Sequence, residues 1–250
     1  MRDSNIVTIY KGKGDSGDGN SYRGISLLSI VGKVFWRVVL GRLQRLADCV
    51  YPEAQCGFRS RRSTIDMVFT VRQLQKCREQ RTSLLVAFVD LNKAFDSISR
   101  GGLFTALERI GCPPKLLRFI MSFHEDTIGV VVFNGITSDP FPIRRGVRQG
   151  RVLAPTLFGI LFSLILCETF GRDQHGIHLH TRSDGKLFKI SFLKTKRNRE
   201  SLFIDRLLFA DSSILKLQRM LDNFSPACSL FSMSINPIKT VVSQDVLAIE

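Results

Sequence analysis

Two acids, each closing a short apolar run, have the type and setting that suit chemistry. Leu84-Leu85-Val86-Ala87-Phe88-Val89 ends at Asp90, and Arg206-Leu207-Leu208-Phe209-Ala210 ends at Asp211, which Ser212-Ser213-Ile214-Leu215 follows. If neighbouring strands bring the two together, their carboxylates can share a pair of Mg²⁺ ions about 3.5–4 Å apart. In such a centre one ion activates a 3′-hydroxyl and the other neutralises a triphosphate, and Mg²⁺ favours hard oxygen ligands of this kind. The same acids would also serve as a turn cap and a turn former. Spacing alone leaves the two readings level. Around Asp211 the pattern predicts two strands meeting at a tight turn.

Other residues fit the same chemistry. Lys11 and Lys13 sit in a glycine-rich loop, Lys11 to Ser21, that follows a strand-like Ile6–Tyr10. Lysines on such a loop suit phosphate, although a solvated hairpin tip has the same composition. Arg23 lies just beyond it. Phe95, five residues after Asp90, is placed to face the sugar of a nucleotide, and at Gln149-Gly150 the backbone can approach a base pair closely.

The elements that must hold these residues follow from periodicity and breakers. A helix is predicted from about Ser29 to Cys49, and a second through Met67, Val68, Val71 and Leu74, capped by Ser63 or Thr64. Ser99 starts a helix that stops at Gly111, and another runs from Pro114 to about His124. Asn134-Gly135, between Val130–Phe133 and Phe141–Ile143, is a hairpin signal. Val152 to Cys167 reads as a buried helix with Pro155 in its first turn, too short and too interrupted for a membrane span. A last helix is expected from about Gln218 to Phe231. Helices and strands in this mixture predict an α+β fold.

Composition narrows the partners. The 250 residues carry 36 basic against 22 acidic side chains, net +14, and 44% are hydrophobic. That is a folding chain with ample core, and one so basic points to a polyanion, nucleic acid before membrane. Seven basic residues against one acid between Arg182 and Arg199 suit a basic hairpin on nucleic acid or a solvated arm. The six cysteines are scattered without a C-x-x-C pair, which argues against structural zinc and a disulfide framework and favours a reducing, intracellular setting. The polar start, Met1 to Asn5, does not read as a signal peptide.

Taken in order, the motifs resemble the reverse transcriptases of non-LTR (LINE-type) retrotransposons. Val7 to Asp15 with Asn20 to Leu27, and Gln55 to Arg59 with Arg62-Ser63-Thr64, are similar to that family's two fingers blocks. Phe88-Val89-Asp90-Leu91 with Lys93 to Asp96 resembles palm motif A, Gly146 to Phe158 motif B, Phe209-Ala210-Asp211 motif C, and Ile235-Asn236 with Lys239-Thr240 motif D. The resemblance implies a right-hand polymerase with fingers over residues 1–83 and a ferredoxin-like palm over 84–250, the latter with an embedded fingers or basic segment. The chain would stop before the primer grip and thumb. It implies RNA-directed DNA polymerase activity with two Mg²⁺ ions, an RNA template, a DNA primer and deoxynucleoside triphosphates, in the nucleus or cytoplasm and away from membrane. By motif position Asp90, Leu91 and Asp211 would ligate metal, with Asp90 and Asp211 catalytic. Phe95 would be the gate against a ribose 2′-hydroxyl. Lys11, Lys13 and Arg23 would contact triphosphate, Gln149 and Gly150 the template–nucleotide pair, and Lys239 the phosphates as a proton donor.

Two departures bear on activity. The family's motif C has a second Asp where this chain has Ser212, and Arg151 stands where a small residue is usual after Gln-Gly. A neutral hydroxyl removes one of three charges from the metal centre. The expectation is therefore a polymerase domain of impaired activity, with a catalytically inactive nucleic-acid-binding remnant or a nonfunctional relic as the alternatives.

Overall fold

The computed structural model describes residues 4–52, 55–69, 72, 85–147, 150–170, 202–203, 206–211 and 214–243. The chain divides into two compact units, Met1–Cys49 with Lys93–Leu161, and Val50–Asn92 with Phe162–Glu250. A long-range pairing that sequence periodicity does not show helps build the first unit: β1 (Ser4–Tyr10) pairs in parallel with β4 (Ile128–Phe133).

In the first unit, β1 also pairs antiparallel with β2 (Tyr22–Leu27), from Asn5 opposite Leu27 to Tyr10 opposite Tyr22. Their connecting loop is braced rather than loose: Lys11 N–H donates to Ser21 O at 2.9 Å, and the Tyr10 and Tyr22 hydroxyls donate to Gly14 O and Ser16 O. Two further strands of this unit are β5 (Ile136–Thr137) and β6 (Phe141–Pro142). Both β5 and β6 pair with β4, giving the order β2-β1-β4-β5 with β6 on β4. Asn134 and Gly135 turn the chain with φ of 49° and 79°, as a two-residue hairpin requires. Pro142 sits on an edge strand, where its missing N–H costs no ladder bond.

Helices of this unit, apart from a short, unexpected one after Lys93, follow their sequence signals. They are α1 (Ile30–Val50), which ends one residue past the unit boundary, α2 (Ala94–Ser97), α3 (Arg100–Arg109) and α4 (Pro114–Ser122). Ser99 caps α3 by accepting from Gly102 N–H at 3.3 Å, and Gly111, at φ 81°, ends it. Trp36 of α1 meets Phe123 edge-on at 4.2 Å, and Leu103, Leu107 and Ile120 are fully buried. The next helix, α5 (Ala154–Phe170), is apolar all round and buried over most of its length, and the unit boundary falls within it. Among the described residues no helix is long and apolar enough to cross a membrane.

The second unit is built on β3 (Leu85–Asp90), the middle of a sheet ordered β7-β8-β3-β9, with β7 Leu202–Phe203, β8 Arg206–Asp211 and β9 Val241–Ser243. Val86, Ala87 and Val89 are buried, the pattern of a strand covered on both faces. Ser63 caps the helical segment 64–69: its Oγ accepts from Ile65 N–H, and Asp66 Oδ2 accepts from Ser63 N–H at 2.8 Å.

The expected hairpin at Asp211 is absent. After β8, helix α6 (Ile214–Leu230) begins only three residues past Asp211, so Ile214 and Leu215 are helical rather than a returning strand. Leu217, Met220, Phe224, Ala227 and Cys228 are all buried at helical spacing. That stripe draws the preceding Ile-Leu into the helix, and α6 starts four residues before its expected start at Gln218. The basic segment 182–199 lies outside the described residues.

Candidate functional site

The second unit holds Asp90, Leu91, Asp211 and Lys239. Asp90 ends β3, and the segment Ser234–Thr240 folds around it. Asn92 N–H donates to Ser234 O at 2.9 Å and Asn236 N–H to Asp90 O at 2.7 Å, flanking a bridge between Leu91 and Ile235. Asp90 N–H points to Thr240 Oγ1 at 3.4 Å, and that hydroxyl donates to Asn236 O at 2.7 Å. Asn236 Oδ1 accepts from the N–H groups of Ile238 and Lys239, which fixes the turn. The turn delivers Lys239, whose Nζ lies 3.6 Å from Asp90 Oδ2; the Asp90 side chain is only 19% exposed.

Asp211 is not brought to Asp90. Because β3 and β8 run antiparallel, Asp90 stands opposite Arg206 while Asp211 stands opposite Leu85. The two positions are five residues apart along the ladder, roughly 17 Å of backbone at about 3.4 Å per residue. In this register the two strand ends do not converge. Two antiparallel neighbours end at opposite edges, and only a returning strand after Asp211 would have placed its turn beside Asp90. Among the described residues no three His, Cys, Asp or Glu side chains gather as a metal cluster. Together with Ser212 in the sequence, these residues do not fit a shared pair of Mg²⁺ ions.

The first unit holds most of the residues expected to contact nucleotide and template. Lys11 and Lys13 are exposed on the β1–β2 loop, with Lys11 Nζ donating to Asn20 O at 2.5 Å, and Arg23 is exposed on β2. Phe95 in α2 stacks on the buried Phe158 of α5, ring centres 4.7 Å apart. The loop before α5 locks that position: Gly146 N–H donates to Ile98 O and Val147 N–H to Phe95 O at 2.9 Å. A Cβ on Gly146, at φ 81°, would stand 2.7 Å from Phe95 O. Gly150, at φ 98°, packs on β2, where a Cβ would fall 2.6 Å from Ser26 O. Gln149 lies outside the described residues.

Arg151 is buried and has a specific place. Its Nη1 donates to Phe123 O at 3.2 Å, while Arg100 donates to His124 O, to Gly146 O at 3.2 Å and to Arg145 O. Two guanidiniums thus meet the carbonyls just past α4, the end of a helix that favours cations. The accommodation is incomplete: burial, and then the charge of Arg100, push Arg151 down to about 10.

Sequence reasoning missed the wrapping of Asp90 by Asn236 and Thr240, and the floor that Phe158 gives Phe95. The Asn-x-x-Lys-Thr pattern was visible, but nothing local says which strand end it encloses.

Comparison with known proteins identifies the lineage. Residues 11–248 match the family model described as reverse transcriptase (RNA-dependent DNA polymerase). The chain is 33% identical over 165 residues to the RNA-directed DNA polymerase from mobile element jockey of Drosophila melanogaster, 65% of this chain and 18% of that protein. It is 27% identical over 237 residues to the Pol polyprotein of the type-1 retrotransposable element R2 of Popillia japonica, 94% of this chain and 31% of that protein. The chain therefore spans under a third of the length of these relatives. Among solved structures it resembles apo telomerase from Candida tropicalis, with a TM-score of 0.66 at 14% identity, covering 98% of this chain and 45% of that one. That likeness shows the fold, a right-hand polymerase. The chain belongs to the reverse transcriptase (RNA-dependent DNA polymerase) family, and its relatives are the polymerases of non-LTR retrotransposons.

Proposed function

We propose that this domain binds RNA template and DNA primer but does not extend the primer. The observation that carries the reading is the β3–β8 register, which sets Asp90 and Asp211 five residues apart while Lys239 takes up the Asp90 carboxylate. Reverse transcriptases use divalent metal, and the separation of Asp90 from Asp211 along the ladder supports a domain that does not hold it. Binding is supported by the net charge of +14 and by exposed Lys11, Lys13 and Arg23 on one hairpin. A related fold, the telomerase of Candida albicans, is solved with the TWJ fragment of telomeric RNA. In this reading Phe95 faces the nucleotide sugar, Gln149 and Gly150 lie beside the template base, and Lys239 serves Asp90 before it serves phosphate.

The second reading is an active RNA-directed DNA polymerase, favoured by Phe95 held on Phe158 as a sugar gate would be. One experiment separates them. A labelled primer–template is titrated with the protein at low salt, and extension is assayed on the same samples with Mg²⁺ or Mn²⁺. Saturable binding that weakens steeply with salt, without extension, is expected. Extension would establish the second reading, and absence of binding would reject the first.

A further inference from the structure

The pairing of Asp90 with Lys239 changes what that carboxylate can do. Asp90 is largely covered, and three bonds from Ser234–Thr240 to the β3 end hold the segment that carries Lys239. The backbone that carries Lys239 is fixed, while its side chain is 62% exposed. Its own N–H and that of Ile238 are pinned by Asn236 Oδ1, and Asn236 is bonded to the Asp90 carbonyl. The turn therefore holds the Lys239 backbone beside the end of β3, and from it the exposed lysine side chain reaches the Asp90 carboxylate. A divalent ion at Asp90 would have to displace or face this cation, and the next acid of the motif stands at the far end of the ladder.

We propose that the Lys239 ammonium is the resident cation of Asp90, a built-in substitute for metal, so that this unit is closed to divalent ions and nucleic-acid binding proceeds without them. The inference rests on the binding reading above and names how that site is regulated. Neutralising Asp90 internally leaves the basic surface to act as a fixed electrostatic platform, one whose affinity responds to ionic strength but not to Mg²⁺ as such.

The test measures free Mn²⁺ by its electron paramagnetic resonance amplitude as full-length protein is added, alongside anisotropy of a labelled primer–template. The wild type is expected to leave the Mn²⁺ amplitude unchanged, and its nucleic-acid affinity to agree within about twofold between Mg²⁺ and EDTA at matched ionic strength. Lys239→Glu, on an exposed side chain that the fold tolerates, puts a second carboxylate beside Asp90 and is expected to take up Mn²⁺. Adding Asp90→Asn to that variant should abolish the uptake. Mn²⁺ uptake by the wild type that Asp90→Asn removes would overturn the proposal, as would no uptake by Lys239→Glu. These outcomes leave the binding reading standing. Failure of the anisotropy signal under every condition would reject that reading instead.

Discussion

Ser212 and Asp211 carry different weight once the strand register is known. Had the missing charge at Ser212 been the only defect, restoring it would restore chemistry. With Asp90 five residues away along the ladder, Ser212→Asp is expected to give no primer extension in Mg²⁺ or Mn²⁺; product from that variant would point to a site assembled otherwise. Arg151 is a second residue whose effect can be read. Its guanidinium is buried beside that of Arg100 and depressed to about 10 by burial first. Arg151→Met gives up the bond to Phe123 O but removes a cation that burial disfavours, and should stabilise the domain by about 1–2 kcal/mol in urea unfolding. Gly146→Ala goes the other way. Its φ of 81° and the 2.7 Å approach to Phe95 O predict a loss of more than about 2 kcal/mol, visible in the same measurement.

Among elements, what was legible in the sequence is what local rules decide. Ser63, one of two candidate caps, and Ser99 cap their helices, Asn134-Gly135 turns a hairpin, and the apolar stretch expected over Val152 to Cys167 forms the largely buried helix Ala154–Phe170 because it is apolar on every side. The strand end at Asp90 was legible for the same reason. The register that opposes Asp90 to Arg206 was not, because it depends on which strand pairs with β3. The parallel pairing of β1 with β4, more than a hundred residues apart, was equally hidden. The failure at Asp211 came from a competition between periods. Arg206 to Leu215 read as strand, turn and strand, but the stripe from Leu217 to Cys228 extends the helix back to Ile214 and leaves no residues for the return. If that stripe governs, a helix-breaking Leu217→Pro should cost α6 its first turns and lower far-ultraviolet helicity and stability together.

At the scale of the whole molecule, the family fold is kept while the β3–β8 register sets Asp90 and Asp211 five positions apart along the ladder. The buried central strand and the buried α5 belong to a right-hand polymerase fold, and a net charge of +14 favours polyanionic partners on electrostatic grounds. The buried thiols set an alkaline limit. Burial raises Cys56, Cys112 and, to about 12, Cys228. Each thiol holds its proton longer folded than unfolded, so stability is full below the unfolded value of 9.0 and falls as pH rises from there toward about 12. A urea midpoint that drops from about pH 8 to about pH 10, with Cys228 alkylated only on unfolding, is the expected behaviour. The account as a whole rests on the separation of Asp90 from Asp211, and cysteine pairing measures it directly. A disulfide needs Cα atoms within about 7 Å. Mild oxidation followed by peptide mapping should find no cross-link in Asp90→Cys/Asp211→Cys, and a cross-link in Val86→Cys/Ala210→Cys, whose positions face each other. A disulfide between positions 90 and 211 would contradict the account.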